Sequence, residues 1–111
     1  MNNYNALYNV NEIVVKPELE DSYKKFSKKL NNYLLKKYNK YYAGLQLYES
    51  NEYYNRFFVV ARYKDVCGLY KVITKIVKDI ENIYDKIWGC YVQRMPIFSF
   101  LDYTKVIPHQ H

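Results

Sequence analysis

The chain has 111 residues, half of them hydrophobic, enough for one domain with one core and too apolar for a disordered tail. Its 17 basic residues against 11 acidic ones give a net charge of +6, which favours a polyanionic partner such as nucleic acid without requiring one. No run approaches the ~18 apolar residues of a membrane span, and the start, MNNYNALYNV, has neither a signal-peptide nor a transit-peptide pattern. The two cysteines, Cys67 and Cys90, make no disulfide framework and read as reduced thiols, Cys90 as a core filler. These features suggest an intracellular protein, cytoplasmic or mitochondrial, that does not engage a membrane. The 15 tyrosines are weak grounds for stacking chemistry, because Tyr, Lys, Asn and Ile all have A/T-rich codons.

Residues 1–9 show no clear period and read as a start that extends the first strand. Val10 to Lys16 is rich in Val and Ile and stops at Pro17, a residue suited to opening a helix. Glu18, Glu20 and Asp21 complement the positive end of that helix dipole. Leu19, Tyr23, Phe26, Leu30, Tyr33, Leu34 and Tyr38 recur at helical spacing, with Lys24, Lys25, Lys28, Lys29, Lys36 and Lys37 opposite. Most of the excess charge therefore sits on one helix. A solvated lysine face is the plainer reading and a phosphate footprint the sharper one.

Tyr41 to Tyr48 alternates loosely, and Gly44 suggests a bulge in a second strand. Glu49 to Glu52 fits a hairpin connection. In the next strand Phe57, Val59, Ala61 and Tyr63 share one face, suited to packing under helices, while Arg56, Phe58, Val60 and Arg62 share the other. Asp65 is placed to cap a second helix, whose stripe is Leu69, Val72, Ile73, Ile76, Ile80, Ile83 and Ile87. Trp88 to Arg94 then alternates as a last strand that Pro96 terminates, and the residues beyond it, with those of 1–9, read as terminal extensions of a single domain spanning 1–111.

Strand, helix, strand, strand, helix, strand, with right-handed crossovers, predicts an α+β, ferredoxin-like split βαβ sandwich: an antiparallel sheet with two helices on one face. Chemistry is harder to locate. The three glycines are too scattered for a phosphate loop, the carboxylates form no acid/base pair, and His109 and His111 match no zinc spacing with the cysteines. The expectation is a non-enzymatic protein with no metal and no cofactor. Binding remains, with Arg56, Phe58, Arg62 and Tyr91 on an open sheet face that could stack bases or dock a protein, or be covered by the C-terminal tail or a homodimer mate.

Three segments, NEIVVKPELED, YNRFFVVARY and IENIYDKIWGCYVQRMP, resemble the corresponding parts of the small-subunit ribosomal protein family S-six over roughly residues 8 to 96. That resemblance implies a ferredoxin-like fold, binding to rRNA and pairing with a second small basic protein. The short LQLYESNEYYNR departs from the longer hairpin of that family, so only Arg56 and Arg94 carry over as contacts. KIVKDIENIYDKIWGCYVQR and VVKPELED also resemble the small hub light chain of dynein, which implies a protein-interaction hub; a small viral or adaptor protein on the same sandwich is a further alternative. The resulting expectation is an RNA-binding component of a ribonucleoprotein, in the organellar case a ribosomal protein. In it Lys24, Lys28 and Lys36 position phosphates, and Arg56, Phe58, Arg62 and Arg94 contact RNA or a partner protein.

Overall fold

A computed structural model describes residues 5–102. Strand β1 (Ala6–Val15) leads through a 3-10 turn at Pro17–Leu19 into helix α1 (Glu20–Lys37). Strands β2 (Tyr42–Glu49) and β3 (Arg56–Lys64) form a hairpin, followed by helix α2 (Leu69–Ile87), a 3-10 turn at Gly89–Tyr91 and strand β4 (Val92–Asp102). The four strands make one antiparallel sheet in the order β2-β3-β1-β4. This is the ferredoxin-like α+β arrangement that the element order predicts. Among the described residues no helix is long and apolar enough to cross a membrane.

Register decides which side chains face the helices. Leu7, Ile13 and Val15 of β1, Phe57, Val59, Ala61 and Tyr63 of β3, and Val92 of β4 are buried on the inner face. From α1 come Tyr23, Leu30 and Leu34, and from α2 Leu69, Ile76, Ile80 and Tyr84, at the three-and-four spacing of an apolar stripe. The two helices are joined at the core by a hydrogen bond between the hydroxyls of Tyr23 and Tyr84, 2.7 Å apart and buried. Phe26 and Trp88 close around this pair: Phe26 meets Tyr84 and Trp88 edge-on at 5.2 and 5.4 Å between centroids.

A second link between the helices is polar. Asp79 of α2 accepts hydrogen bonds from the hydroxyls of Tyr38 (2.7 Å) and Tyr33 (3.0 Å) and from Nζ of Lys37 (3.2 Å). At β2, Gly44 adopts φ +116°, open to glycine and costly to other residues, and the register slips there as a bulge. Asn31 of α1 fills the resulting gap: its Oδ1 accepts from the Leu45 amide and the Tyr42 hydroxyl.

Several boundaries differ from the sequence reading. Strand β1 begins at Ala6 rather than Val10, because Ala6 to Asn9 pair with β3 on one side and with β4 on the other. Trp88 to Tyr91 is the end of a helix rather than a strand: the Trp88 amide bonds back to the Tyr84 carbonyl and Gly89, at φ +56°, breaks the helix. Cys90 is consequently exposed, as is Cys67. Asp65 does not cap α2; Gly68 takes the cap position at φ +94°, where an added Cβ would meet the Tyr41 hydroxyl at 3.0 Å. Pro96 does not end β4, because β4 is an edge strand on which a missing amide is tolerated; the register slips beside it and pairing resumes at Phe98. Residues 97–102 thus belong to the sheet, and His109 and His111 lie outside the described residues.

Burial raises the phenols of Tyr23, Tyr42, Tyr63 and Tyr84 above their ordinary value of 10, that of Tyr63 to about 12. The folded state therefore holds these protons where the unfolded chain releases them. Stability should be level up to about pH 9.5 and fall above pH 10, by up to ~1.4 kcal/mol per pH unit for each such tyrosine, in denaturant titrations followed by circular dichroism. At Asp79, burial acts to raise the carboxyl, but the hydrogen bonds from Tyr38, Tyr33 and Lys37 outweigh it and the net shift is downward. Its contribution is therefore present above the ordinary carboxylate range and lost as pH falls through the lowered value. Because the carboxylate is partly solvated, Asp79→Asn should cost only about 1 kcal/mol at pH 7, and the deficit should shrink in acid.

Candidate functional site

The inner face is not apolar throughout. Along β1 the inward positions read Leu7, Asn9, Asn11, Ile13 and Val15, so two amides sit under α2 where a central strand ordinarily places aliphatic residues. Asn11 is only 5% exposed, and its Oδ1 has no hydrogen-bond partner. Leaving a buried amide oxygen unsatisfied costs roughly 1–3 kcal/mol, a cost that a purely structural position would shed by substitution. Asn9 is engaged: it accepts from the Ser99 hydroxyl of β4 and donates to Tyr63 of β3.

Both asparagines open onto a cleft of about 440 Å³ between α2 and the β1–β4 side of the sheet. Ile73 and Val77 of α2 and Ile97 and Phe98 of β4 supply apolar walls, while Thr74, Lys78 and Glu81 line it from the helix. The irregularity at Pro96 shapes the sheet side, since Pro96, Ile97 and Phe98 all border the cleft opposite Val10 and Asn11. Behind it lies a small pit of about 20 Å³ bounded by Tyr63, Tyr84, Ile80 and Leu34. Asn9, Asn11 and Arg94 border both spaces. A neighbouring hollow of about 370 Å³ reaches Arg94 from the Glu81, Asp85 and Gly89 side.

Arg94 is the electrostatic centre of this region. It pairs in register with Ile13 and so faces inward, half-buried, with its guanidinium carbon 5.6 Å from the centroid of the Tyr84 ring. Among the described residues it makes no ion pair, although Glu81 borders the same cleft. Its charge still acts on its surroundings. Burial raises Tyr63 and Tyr84, and Arg94 works against that rise in both, helped by Asn9 at Tyr63 and by the Tyr23 hydroxyl at Tyr84. Both phenols remain protonated at neutral pH and serve as hydrogen-bonding groups, not as bases. A fixed cation, two amides and an apolar wall together suit an organic ligand with a negatively charged or strongly polarised oxygen.

The residues singled out in the sequence fall in three places. Arg94 stands in the cleft. Arg56, Phe58 and Arg62 lie on the outer sheet face, where Arg56 pairs with Glu12 at 2.9 Å and its guanidinium lies 4.7 Å from the Tyr53 ring centroid. Lys24, Lys28 and Lys36 lie on α1, across the sheet from that face; Lys24 is held by Glu49 at 2.6 Å. Tyr91 belongs to the turn before β4 and not to the open face. Sequence reasoning missed Asn9, Asn11, Tyr63 and Tyr84 as site residues. The signal for the asparagines was present, two amides at inward parity in β1, but it depends on starting that strand at Ala6.

No protein-family model matches the chain, and no curated protein matches it significantly. Among solved structures it is similar to a crystal structure of a Bordetella bronchiseptica protein provisionally named an antibiotic biosynthesis monooxygenase. The TM-score is 0.62 at 18% sequence identity, over 92% of this chain and 98% of that one. The likeness establishes the shared fold. The expectation of an RNA-binding component of a ribonucleoprotein is corrected by it: the fold match leads to a protein named as an antibiotic biosynthesis monooxygenase and not to an RNA-binding one. The physical reason the expectation failed is that the cations it relied on form no common surface, being split between α1, the outer face and the inner cleft.

If the buried asparagine is kept for a ligand, removing its polar group should not weaken the fold. Asn11→Leu should leave stability unchanged or raise it by about 1–2 kcal/mol in chemical denaturation, whereas a loss above ~1 kcal/mol would show that the amide is a structural necessity.

Proposed function

We propose that this chain takes a small organic anion into the cleft between α2 and strands β1 and β4 and acts on it as an enzyme. The observation that carries this reading is Arg94, a half-buried cation with no carboxylate partner among the described residues, facing a cavity of about 440 Å³. That volume lies in the range of sites for small organic molecules. A buried charge is ordinarily paired within the protein, and where it is not, a ligand of opposite charge completes it.

The chemistry follows from the groups at hand. Arg94 holds an oxygen that carries negative charge, as in a carboxylate, an enolate or a phenolate, and Asn11 Oδ1, an acceptor without a partner, takes a hydroxyl or N–H of the same ligand. Ile73 and Val77 exclude water from the ligand's apolar body, which strengthens the electrostatic contacts at its polar end. A site of this kind stabilises negative charge as it develops on a bound oxygen. The shared fold with a protein named as a monooxygenase favours oxygenation as the reaction class.

Isothermal titration calorimetry against a panel of small aromatic carboxylates and phenolates, each paired with its neutral methyl derivative, tests the binding step. The expected result is selective binding of the anions, weakened about 10- to 100-fold by Arg94→Gln, the loss of one charge-assisted contact. Equal binding of neutral and anionic partners, or an unchanged affinity in the variant, would overturn it. Oxygen uptake with those ligands that bind is the corresponding test of turnover, and none from any bound ligand would reduce the protein to a carrier.

A further inference from the structure

The two asparagines on the inner face of β1 are chemically identical and differently used. Asn9 spends its amide within the protein, accepting from the Ser99 hydroxyl and donating to Tyr63. Asn11 is 5% exposed and borders both the cleft and the pit behind it, and its Oδ1 has no donor among the described residues. Asn9 is fixed as framework, whereas Asn11 keeps one hydrogen-bonding direction open. That direction is opposite in kind to Arg94, since a guanidinium only donates and an amide oxygen only accepts. Strand register sets how far apart the two groups stand. Arg94 pairs with Ile13, and Asn11 lies two residues back along β1 on the same face, within the stretch from Asn11 to Val15 where the pairing is regular. The two side chains are diagonal neighbours on adjacent strands, roughly 7–8 Å apart at Cα and less at Cβ. A ligand that satisfies both must carry its negative oxygen and a hydrogen-bond donor within a few bonds of each other.

We propose that Asn11 sets the specificity of the cleft, and that the ligand class is an organic acid bearing a hydroxyl or amine close to its anionic group. The anion sits on Arg94 and the O–H or N–H donates to Asn11 Oδ1. The inference rests on the cleft being an anion site and narrows what that site accepts. An unsubstituted acid meets the charge requirement but leaves the amide oxygen without a donor, at the cost of an unsatisfied buried acceptor. A diacid is worse, because its second carboxylate sets acceptor against acceptor in a place that water does not reach. Sites that hydrogen-bond a substrate hydroxyl reject the analogue lacking it for this reason. Position on the ligand matters too. A hydroxyl directly beside a carboxylate on a ring closes a hydrogen bond on its own anion, so the hydroxyl one carbon further round, whose proton is free, is the one that gains.

Isothermal titration calorimetry of the full chain with benzoate, 3-hydroxybenzoate and 3-methylbenzoate tests this, the methyl group matching the hydroxyl in size without offering a donor. In the wild type the hydroxy acid should bind about 10-fold more tightly than the methyl acid, the range of one buried hydrogen bond. Asn11→Leu should abolish that ratio and leave the affinity for benzoate unchanged. Arg94→Gln should weaken all three acids together and preserve the ratio, because it removes the contact they share. Equal binding of the hydroxy and methyl acids, or a ratio that survives Asn11→Leu, overturns the role of Asn11 while the anion site stands. Binding of none of the three overturns the anion site and this inference with it. Should Asn11→Leu unfold or block the cleft, Asn11→Ala is read by the same ratio, and an alanine variant that loses all three acids alike marks the residue as structural and overturns the proposal.

Discussion

The hydrogen bond between the buried hydroxyls of Tyr23 and Tyr84 is the contact on which the rest of the structure depends. It fixes where α1 and α2 meet, and with Phe26 and Trp88 it seals one end of the space between helices and sheet by aromatic packing. Each phenol satisfies the other, so two polar groups enter the core with no water and no charge required. Because the helices are pinned there, α2 meets the β1–β4 side of the sheet over its earlier turns with room to spare. The Tyr84 ring, held from behind, is also the surface against which Arg94 rests.

From that constraint the cleft follows. The inner face could have been filled with apolar side chains, as it is at Phe57, Val59 and Ala61. Under α2 it instead carries Asn9, Asn11 and Arg94, and the edge strand that borders them is irregular at Pro96 and Ile97. Two of these are unfavourable for the fold alone: a buried amide oxygen without a donor and a half-buried cation without a carboxylate. Two such departures bordering one cavity are coherent as the features of a binding site, where local rules give way to function.

Much of the fold was legible because its elements are strongly periodic. The Ile-rich stripe of α2, the alternation of β3 and the bulge at Gly44 were each readable from spacing. The last strand was not. WGCYVQR alternates as a strand would, but Gly89 at positive φ and the amide of Trp88 bonding back to Tyr84 make its first half the end of a helix. Pro96 reads as a terminator unless the strand is known to lie at an edge, which is a fact of topology and not of local sequence. Arg94 was legible as a residue of interest, but its role was not, because only the pairing of β4 with β1 reveals that it faces the helices. The apparent binding surface dissolved for the same reason: the net charge of +6 carries no record of which face each cation occupies.

The molecule thus divides its labour between the two faces of one sheet. The outer one carries the Glu12–Arg56 ion pair and Arg62 among apolar side chains; the inner one keeps a single arginine whose charge the described residues leave uncompensated. That uncompensated charge is the centre of the account, and nuclear magnetic resonance of the Arg94 guanidinium reads it directly. With the side chain labelled with nitrogen-15, the Nε–H signal should be broad and in rapid exchange in the free protein. On adding a carboxylate or phenolate that binds, it should sharpen and shift, with protection from solvent exchange and accompanying shifts at Asn11 and Asn9. An Arg94 signal that is already sharp and protected without ligand, or that stays unmoved while other residues report binding, would contradict the account.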